Sequence, residues 1–170
     1  KNLRFDLEES AGKATITLYG KSAHGAMPEK GVNGATYLTL FLNQFNFADG
    51  AAAFIKVGAE KLLEDHEGEK LGTAYVDELM GNTSMNAGVW SFDENSEGKI
   101  ALNFRFPQGN SPERMQKILA KLDGVVEVEL SKHLRIFSRQ KHYLRDAYFS
   151  HFQSFFSLIR FQCWLWFRDW

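Results

Sequence analysis

The 170-residue sequence predicts an α+β fold, an antiparallel sheet with helices packed on one face. Two observations carry this. Apolar residues alternate with polar ones in two separate pairs of segments, the period of strands, and between and after those pairs the apolar residues recur at helical spacing. An apolar content of 44% is enough to fill the core of one ordinary domain.

Leu3, Phe5 and Leu7 alternate with polar residues, and Ala14, Ile16 and Leu18 repeat the pattern after Ser10-Ala11-Gly12-Lys13, so a β-hairpin is expected. A helix of about three or four turns should begin just after Pro28 and Gly31, because Tyr37, Leu38, Phe41, Leu42 and Phe45 follow at helical spacing. A second helical run covers Ala51 to Leu63, followed by an acidic loop from Glu64 to Glu69. Ser84 to Phe92 and Lys99 to Phe106 read as strands joined by a turn at Asp93 to Gly98. Asn110 or Ser111 can cap the next helix, with Pro112 in its first turn and Met115, Ile118, Leu119 and Leu122 as its buried stripe. Val125, Val126, Val128 and Leu130 form the last strand.

Composition changes after Leu134. Residues 135–170 hold 7 Phe, 3 Trp and 2 Tyr but no Gly, Pro, Glu, Val or Thr, which ordinary domains do not show. The expected division is therefore 1–134 as the folded unit and 135–170 as an aromatic-rich tail, irregular or helical. Tyr148, Phe149, Phe152, Phe155, Phe156 and Ile159 would share one helical face, which suits an interfacial membrane element. A frame-shifted, non-native ending explains the same composition.

Charge and cysteine content exclude several classes. Residues 1–134 carry 14 basic against 19 acidic side chains, which gives no electrostatic footprint for nucleic acid. No run reaches the roughly 20 apolar residues of a membrane-spanning helix. Cys163 is the only cysteine, so neither a disulfide framework nor a thiolate zinc site can form within the chain, and a reducing, cytoplasmic setting is expected. The N-terminus lacks Met and any signal-peptide pattern, and reads as the cut end of something longer.

Two stretches carry candidate chemistry. In Gly20-Lys-Ser-Ala-His-Gly-Ala-Met-Pro28, small residues surround His24 and leave its backbone open to close approach. A phosphate loop is excluded, because the required glycine is Thr15. His24 is either a satisfied loop histidine or a ligand-facing one, whose use would be an imidazole N–H aimed at a developing oxyanion. In Leu102-Asn-Phe-Arg-Phe-Pro107, Arg105 alternates with Phe104 and Phe106 and must point away from an apolar face. It is either a surface arginine or a guanidinium fork for a carboxylate. Glu8-Glu9 and Asp65-His66-Glu67 read as solvated, the latter because adjacent loop side chains rarely converge on one metal ion.

Tyr19 to Pro28, followed by Gly31-Val-Asn-Gly-Ala35, resembles the lid-domain signature of the zinc-dependent dipeptidase, aminoacylase and carboxypeptidase superfamily. Asn86-Ala-Gly-Val89 with Asn103-Phe-Arg-Phe-Pro-Gln-Gly109 is most similar to the bacterial PepV-type dipeptidases within it. The resemblance covers residues 1–134. It implies a lid-like fold capping a catalytic domain that holds two zinc ions and a glutamate base, that domain being missing from this chain. It further implies that His24 helps to stabilise the oxyanion, that Arg105 binds the dipeptide carboxylate, and that Asn86 touches substrate. Zinc would belong to the parent enzyme with none bound by this chain, which would be inactive alone. The substrate implied is a dipeptide, and a homodimer is compatible with relatives whose lids mediate association. A different class is also compatible: a non-catalytic interaction module using the lid fold, with the tail as its docking element.

Overall fold

The computed structural model describes residues 2–24, 27–47, 49–78, 80–93, 97–107, 109–131, 137–138 and 151–162, the last two segments by backbone alone. Strands β1 (Phe5–Ser10) and β2 (Lys13–Leu18) form the expected antiparallel hairpin, in register from Phe5 opposite Leu18 to Ser10 opposite Lys13. Its two-residue turn has Ala11 at φ 50° and Gly12 at φ 75°, the doubly positive geometry that matches the twist of the flanking strands. Phe5, Leu7, Ile16 and Leu18 occupy paired positions and so share one face, on which Phe5 and Leu7 are exposed. Where the hairpin leaves for the next loop, the Tyr19 hydroxyl donates to Asp6 Oδ2 at 2.7 Å and the Arg4 guanidinium lies over the Tyr19 ring. That hydrogen bond and the neighbouring negative charge of Asp6 raise the Tyr19 phenol above its ordinary range.

A 3-10 turn at Pro28–Lys30 precedes α1 (Gly34–Leu42), so the helix starts three residues beyond Gly31. Asn33 is its N-cap: the side chain accepts from Ala35 N at 3.1 Å, and its Nδ2 donates to Ala87 O at 2.7 Å. One residue therefore both starts the helix and ties it to a later strand. Helix α2 (Asp49–Lys56) runs into a π-helical segment, Val57–Leu62, against which α1 packs. Short strands β3 (Val76–Asp77) and β4 (Gly81–Asn82) pair with each other.

The main sheet contains β5 (Ser84–Ser91), β6 (Glu97–Phe106), β7 (Val125–Ser131), β8 (Phe137–Ser138) and β9 (His151–Gln162). Its order is β5-β6-β9-β7, with β8 also pairing to β9 and every pair antiparallel. Helix α3 (Pro112–Leu119) is capped by Ser111, whose Oγ accepts from Arg114 N at 3.1 Å. Asn110, the other candidate cap, is buried and instead ties the helix start to Thr73 and Thr83.

Alternation on β5 and β6 sends Met85, Ala87, Ile100, Leu102, Phe104 and Phe106 to one face, where they are buried with Phe54 and Ile55 of α2 and Met115 and Leu119 of α3. The α+β class, with α2 and α3 on one face of an antiparallel sheet, is as the sequence predicts. The tail is a correction. Residues 151–162 are neither irregular nor helical but a strand hydrogen-bonded between β6 and β7. The helical spacing of its apolar residues is overridden because β6 pairs with Gln153 to Gln162 and β7 with Phe156 to Phe161, so over the latter stretch the backbone finds ladder partners on both sides, and an aromatic-rich segment suits a strand. The expected helical face at Tyr148 and Phe149, the turn residues 94–96, Lys132 to Leu134 and Cys163 lie outside the described residues. Among the described residues, no helix is long and apolar enough to cross a membrane.

Candidate functional site

The small residues around His24 have a definite use. Lys21 and Val32 form a reciprocal antiparallel bridge, each N–H donating to the other's carbonyl at 2.9 Å. A Cβ on Gly20 would stand 2.5 Å from Val32 O, and one on Gly31 would stand 2.8 Å from both Lys21 O and Ala23 Cβ. Glycine at both positions lets the loop after β2 lie directly on the approach to α1. What comes close to the residues just before His24, Gly20 to Ala23, is this chain's own segment 31–34. His24 itself is exposed, and its carbonyl accepts from Met27 N at 2.8 Å, which turns the loop back towards the 3-10 turn.

Beside this seam lies a cleft of about 360 Å³ along the outer edge of β5. Lys21, Ser22 and Ala23 line one side, Asn86 to Gly88 another, and Tyr37 with Glu64 to His66 a third. The β5 edge is closed partly by the Glu64–His66 loop, since Met85 N donates to His66 O at 2.7 Å. The bulge between Ala87 and Val89 leaves Ala87 O to accept from both Asn33 Nδ2 and Trp90 Nε1. Asn86 thus sits between the capped start of α1 and the cleft.

Register places the other candidate. Arg105 is paired with Ser84, and Asn86 with Asn103. Directly paired residues share a face, so Arg105, Ser84, Asn86 and Asn103 lie together on the face opposite the buried Phe104 and Phe106. Asn86 and Arg105 are diagonal neighbours, a separation of about 7–8 Å between strand positions. Arg105 is half-buried. Asn103 Oδ1 is buried and accepts no hydrogen bond, an unmet acceptor that costs about 1–3 kcal/mol. The structure therefore brings Asn86 together with the loop of His24 at one cleft and with Arg105 on one sheet face.

The Asp65-His66-Glu67 stretch corrects the sequence reading. Asp65 is only 6% exposed, and its carboxylate accepts from Gly68 N and Glu69 N at 2.9 Å, Lys70 N at 3.0 Å and Leu71 N at 3.4 Å. A run of acids and a histidine in a loop looks solvated by composition, and only the turn at 66–71 reveals that one acid is its centre. The glycines at 68 and 72 were the available signal. His66 is half-buried in the cleft.

Among the described residues, no three His, Cys, Asp or Glu side chains gather to hold a metal ion. Asp65, the buried carboxylate nearest the cleft, is already saturated by backbone donors. The described residues do not fit a zinc site.

Asp65→Asn retains one acceptor oxygen but turns an NH2 towards buried backbone donors, so it should lower folding stability by about 3 kcal/mol. Denaturant unfolding checks this, and an unchanged midpoint would show that the carboxylate does not organise the loop.

No protein-family model matches the chain. It is 36% identical over 129 residues to the "Beta-Ala-Xaa dipeptidase" of Lactobacillus delbrueckii subsp. lactis, covering 75% of this chain and 27% of that protein. Proteins bearing the name "Putative dipeptidase" are 35% identical over 99 residues in Staphylococcus epidermidis and 35% identical over 128 residues in Staphylococcus saprophyticus. These matches cover 58% and 72% of this chain, and 21% and 27% of those proteins. The chain thus spans about a quarter of the length of the curated relatives it matches. It is related to the PepV-type dipeptidases and corresponds to one segment of them.

Proposed function

We propose that this chain is the substrate-capping, lid portion of a zinc dipeptidase, with the metal ions and general base supplied by a catalytic domain outside the described residues. The observation that carries the reading is the shared placement of Asn86, lining the cleft beside the His24 loop and lying on the Arg105 face of the sheet. On this reading Arg105 holds the dipeptide carboxylate with a two-pronged, charge-assisted contact, for which a half-buried guanidinium on the polar face of the sheet is suited. His24 is exposed at the end of a backbone-anchored loop, where its imidazole can donate to the oxyanion as the lid closes. Asn86 orients the peptide between them. Peptide hydrolysis also needs an activated water and a base, and zinc supplies the former when bound in the catalytic domain.

Residues 1–134 form the capping unit in this proposal and 135–170 a frame-shifted ending. Strand β9 is compatible with that, because ladder pairing uses backbone groups and makes no demand on particular side chains. The coding DNA read in the other frames past Leu134 should resume a glycine-rich segment followed by a histidine. Frames without one would refute a frame-shifted ending.

The purified chain with added zinc should not hydrolyse β-alanyl-alanine. It should bind that dipeptide, and Arg105→Met should weaken binding at least about tenfold. His24→Ala should leave dipeptide binding nearly unchanged yet weaken a phosphinate mimic of the tetrahedral adduct. Hydrolysis by the chain alone, or equal affinity of the Arg105→Met variant, would contradict the lid reading.

A further inference from the structure

We propose that the place between β6 and β7 is a strand-acceptor slot, filled in this structure by residues 151–162, and that β2 of the same chain is a second strand that fits it. The order of elements points there. Leaving aside the short β3–β4 pair, the chain runs β2, the helices α1 and α2, β5, β6, α3 and β7. That is the split β-α-β-β-α-β arrangement, in which the first strand lies between the third and the fourth and runs antiparallel to both. The observed order is β5-β6-β9-β7, so β9 stands in that position and with that direction. Strand β2 instead pairs only with β1, in a two-stranded sheet of its own.

The length and pattern of β2 match the slot. Strand β9 is paired on both sides over the six residues from Phe156 to Phe161, and β2 is also six residues long, from Lys13 to Leu18. Ala14, Ile16 and Leu18 alternate with Lys13, Thr15 and Thr17, and a strand of this kind suits a place with one face on a core. By contrast, β9 brings Ser157 into register with the buried Leu102 and with Leu130, a polar residue where both neighbouring strands carry leucine. The hairpin meanwhile leaves its apolar face largely open to solvent, Phe5 being 61% and Leu7 51% exposed, with Ile16 and Leu18 half-buried. A two-stranded hairpin is marginal by itself, whereas an interior strand finds backbone partners on both edges. On entering the slot β2 gives up one ladder, that with β1, and gains two. The exchange is of the strand-addition kind, in which main-chain bonds hold the guest and alternate side chains select it.

The test uses the full chain and amide hydrogen exchange read by NMR. Ser10 and Lys13 flank the two-residue turn as a hydrogen-bonded pair, so the Lys13, Thr15 and Thr17 amides face β1 while those of Ala14 and Ile16 face away from it. In the slot both sets are bonded. Leu158→Pro removes an N–H from a strand with neighbours on both sides, a place proline does not fit, so it should expel β9. That variant should still unfold cooperatively, and its Ala14 and Ile16 amides should exchange at least about tenfold more slowly than in the unaltered chain. Ile16→Pro removes an N–H that the hairpin does not use, so by itself it should leave the unfolding midpoint nearly unchanged. Combined with Leu158→Pro it should abolish cooperative unfolding, because neither strand can then enter. Loss of folding in Leu158→Pro alone, unchanged exchange at Ala14 and Ile16, or a double variant as stable as Leu158→Pro would overturn the inference. Protection that arises only in a dimer, detected by light scattering, would put a second copy's β2 in the slot and overturn exchange within one chain.

Discussion

The arrangement depends on a two-residue backbone bridge. Lys21 and Val32 exchange hydrogen bonds across a gap that only glycine at 20 and 31 leaves open, and this seam pins the loop leaving the hairpin to the entry of α1. Each bond is worth about 1 kcal/mol, but the greater consequence is geometric, because a side chain at either glycine must displace backbone rather than a flexible tip. The loop holding His24 is thereby set by main-chain contacts, which vary less than side-chain ones.

From the seam the constraint passes to the sheet. Val32 leads into Asn33, whose single carboxamide caps α1 and reaches Ala87 at the β5 bulge. One residue earlier stands Asn86, and diagonal to it across the ladder stands Arg105. A chain of neighbouring positions therefore links the loop to Arg105, and its one step across the sequence is the Asn33–Ala87 hydrogen bond. The opposite face of the same two strands is filled by Phe104, Phe106, Leu102 and Met85, all nearly inaccessible. Truncating Phe104 would cost about 3–5 kcal/mol, so the polar face rides on a rigid platform.

Much of this was legible in the sequence because the signals were local. Ala11-Gly12 announced its turn, Pro112 after Ser111 announced a helix start, and alternation through Phe104-Arg105-Phe106 fixed which side chain faces away from the core. The spacing of small residues near His24 signalled close approach, although the approaching group proved to be residues 31–34. What stayed hidden was non-local. Asp65 looks solvated until the turn at 66–71 folds its backbone donors inward, and His66 gains meaning only when that turn docks on the edge of β5. Residues 151–162 read as a helical face because spacing alone cannot see that β6 and β7 present two open ladders to fill. The π-helical segment at Val57–Leu62 likewise leaves no mark in periodicity distinct from an ordinary helix.

Amide hydrogen exchange at Lys21 and Val32 tests the seam most directly, since both N–H groups should be protected although neither lies in a helix or a strand of the main sheet. Protection of the pair, lost together when Gly20 is replaced by Ala, is the predicted result. Exchange of either amide at the rate of an unstructured peptide would contradict it, and would leave the loop of His24 without an anchor beside the cleft.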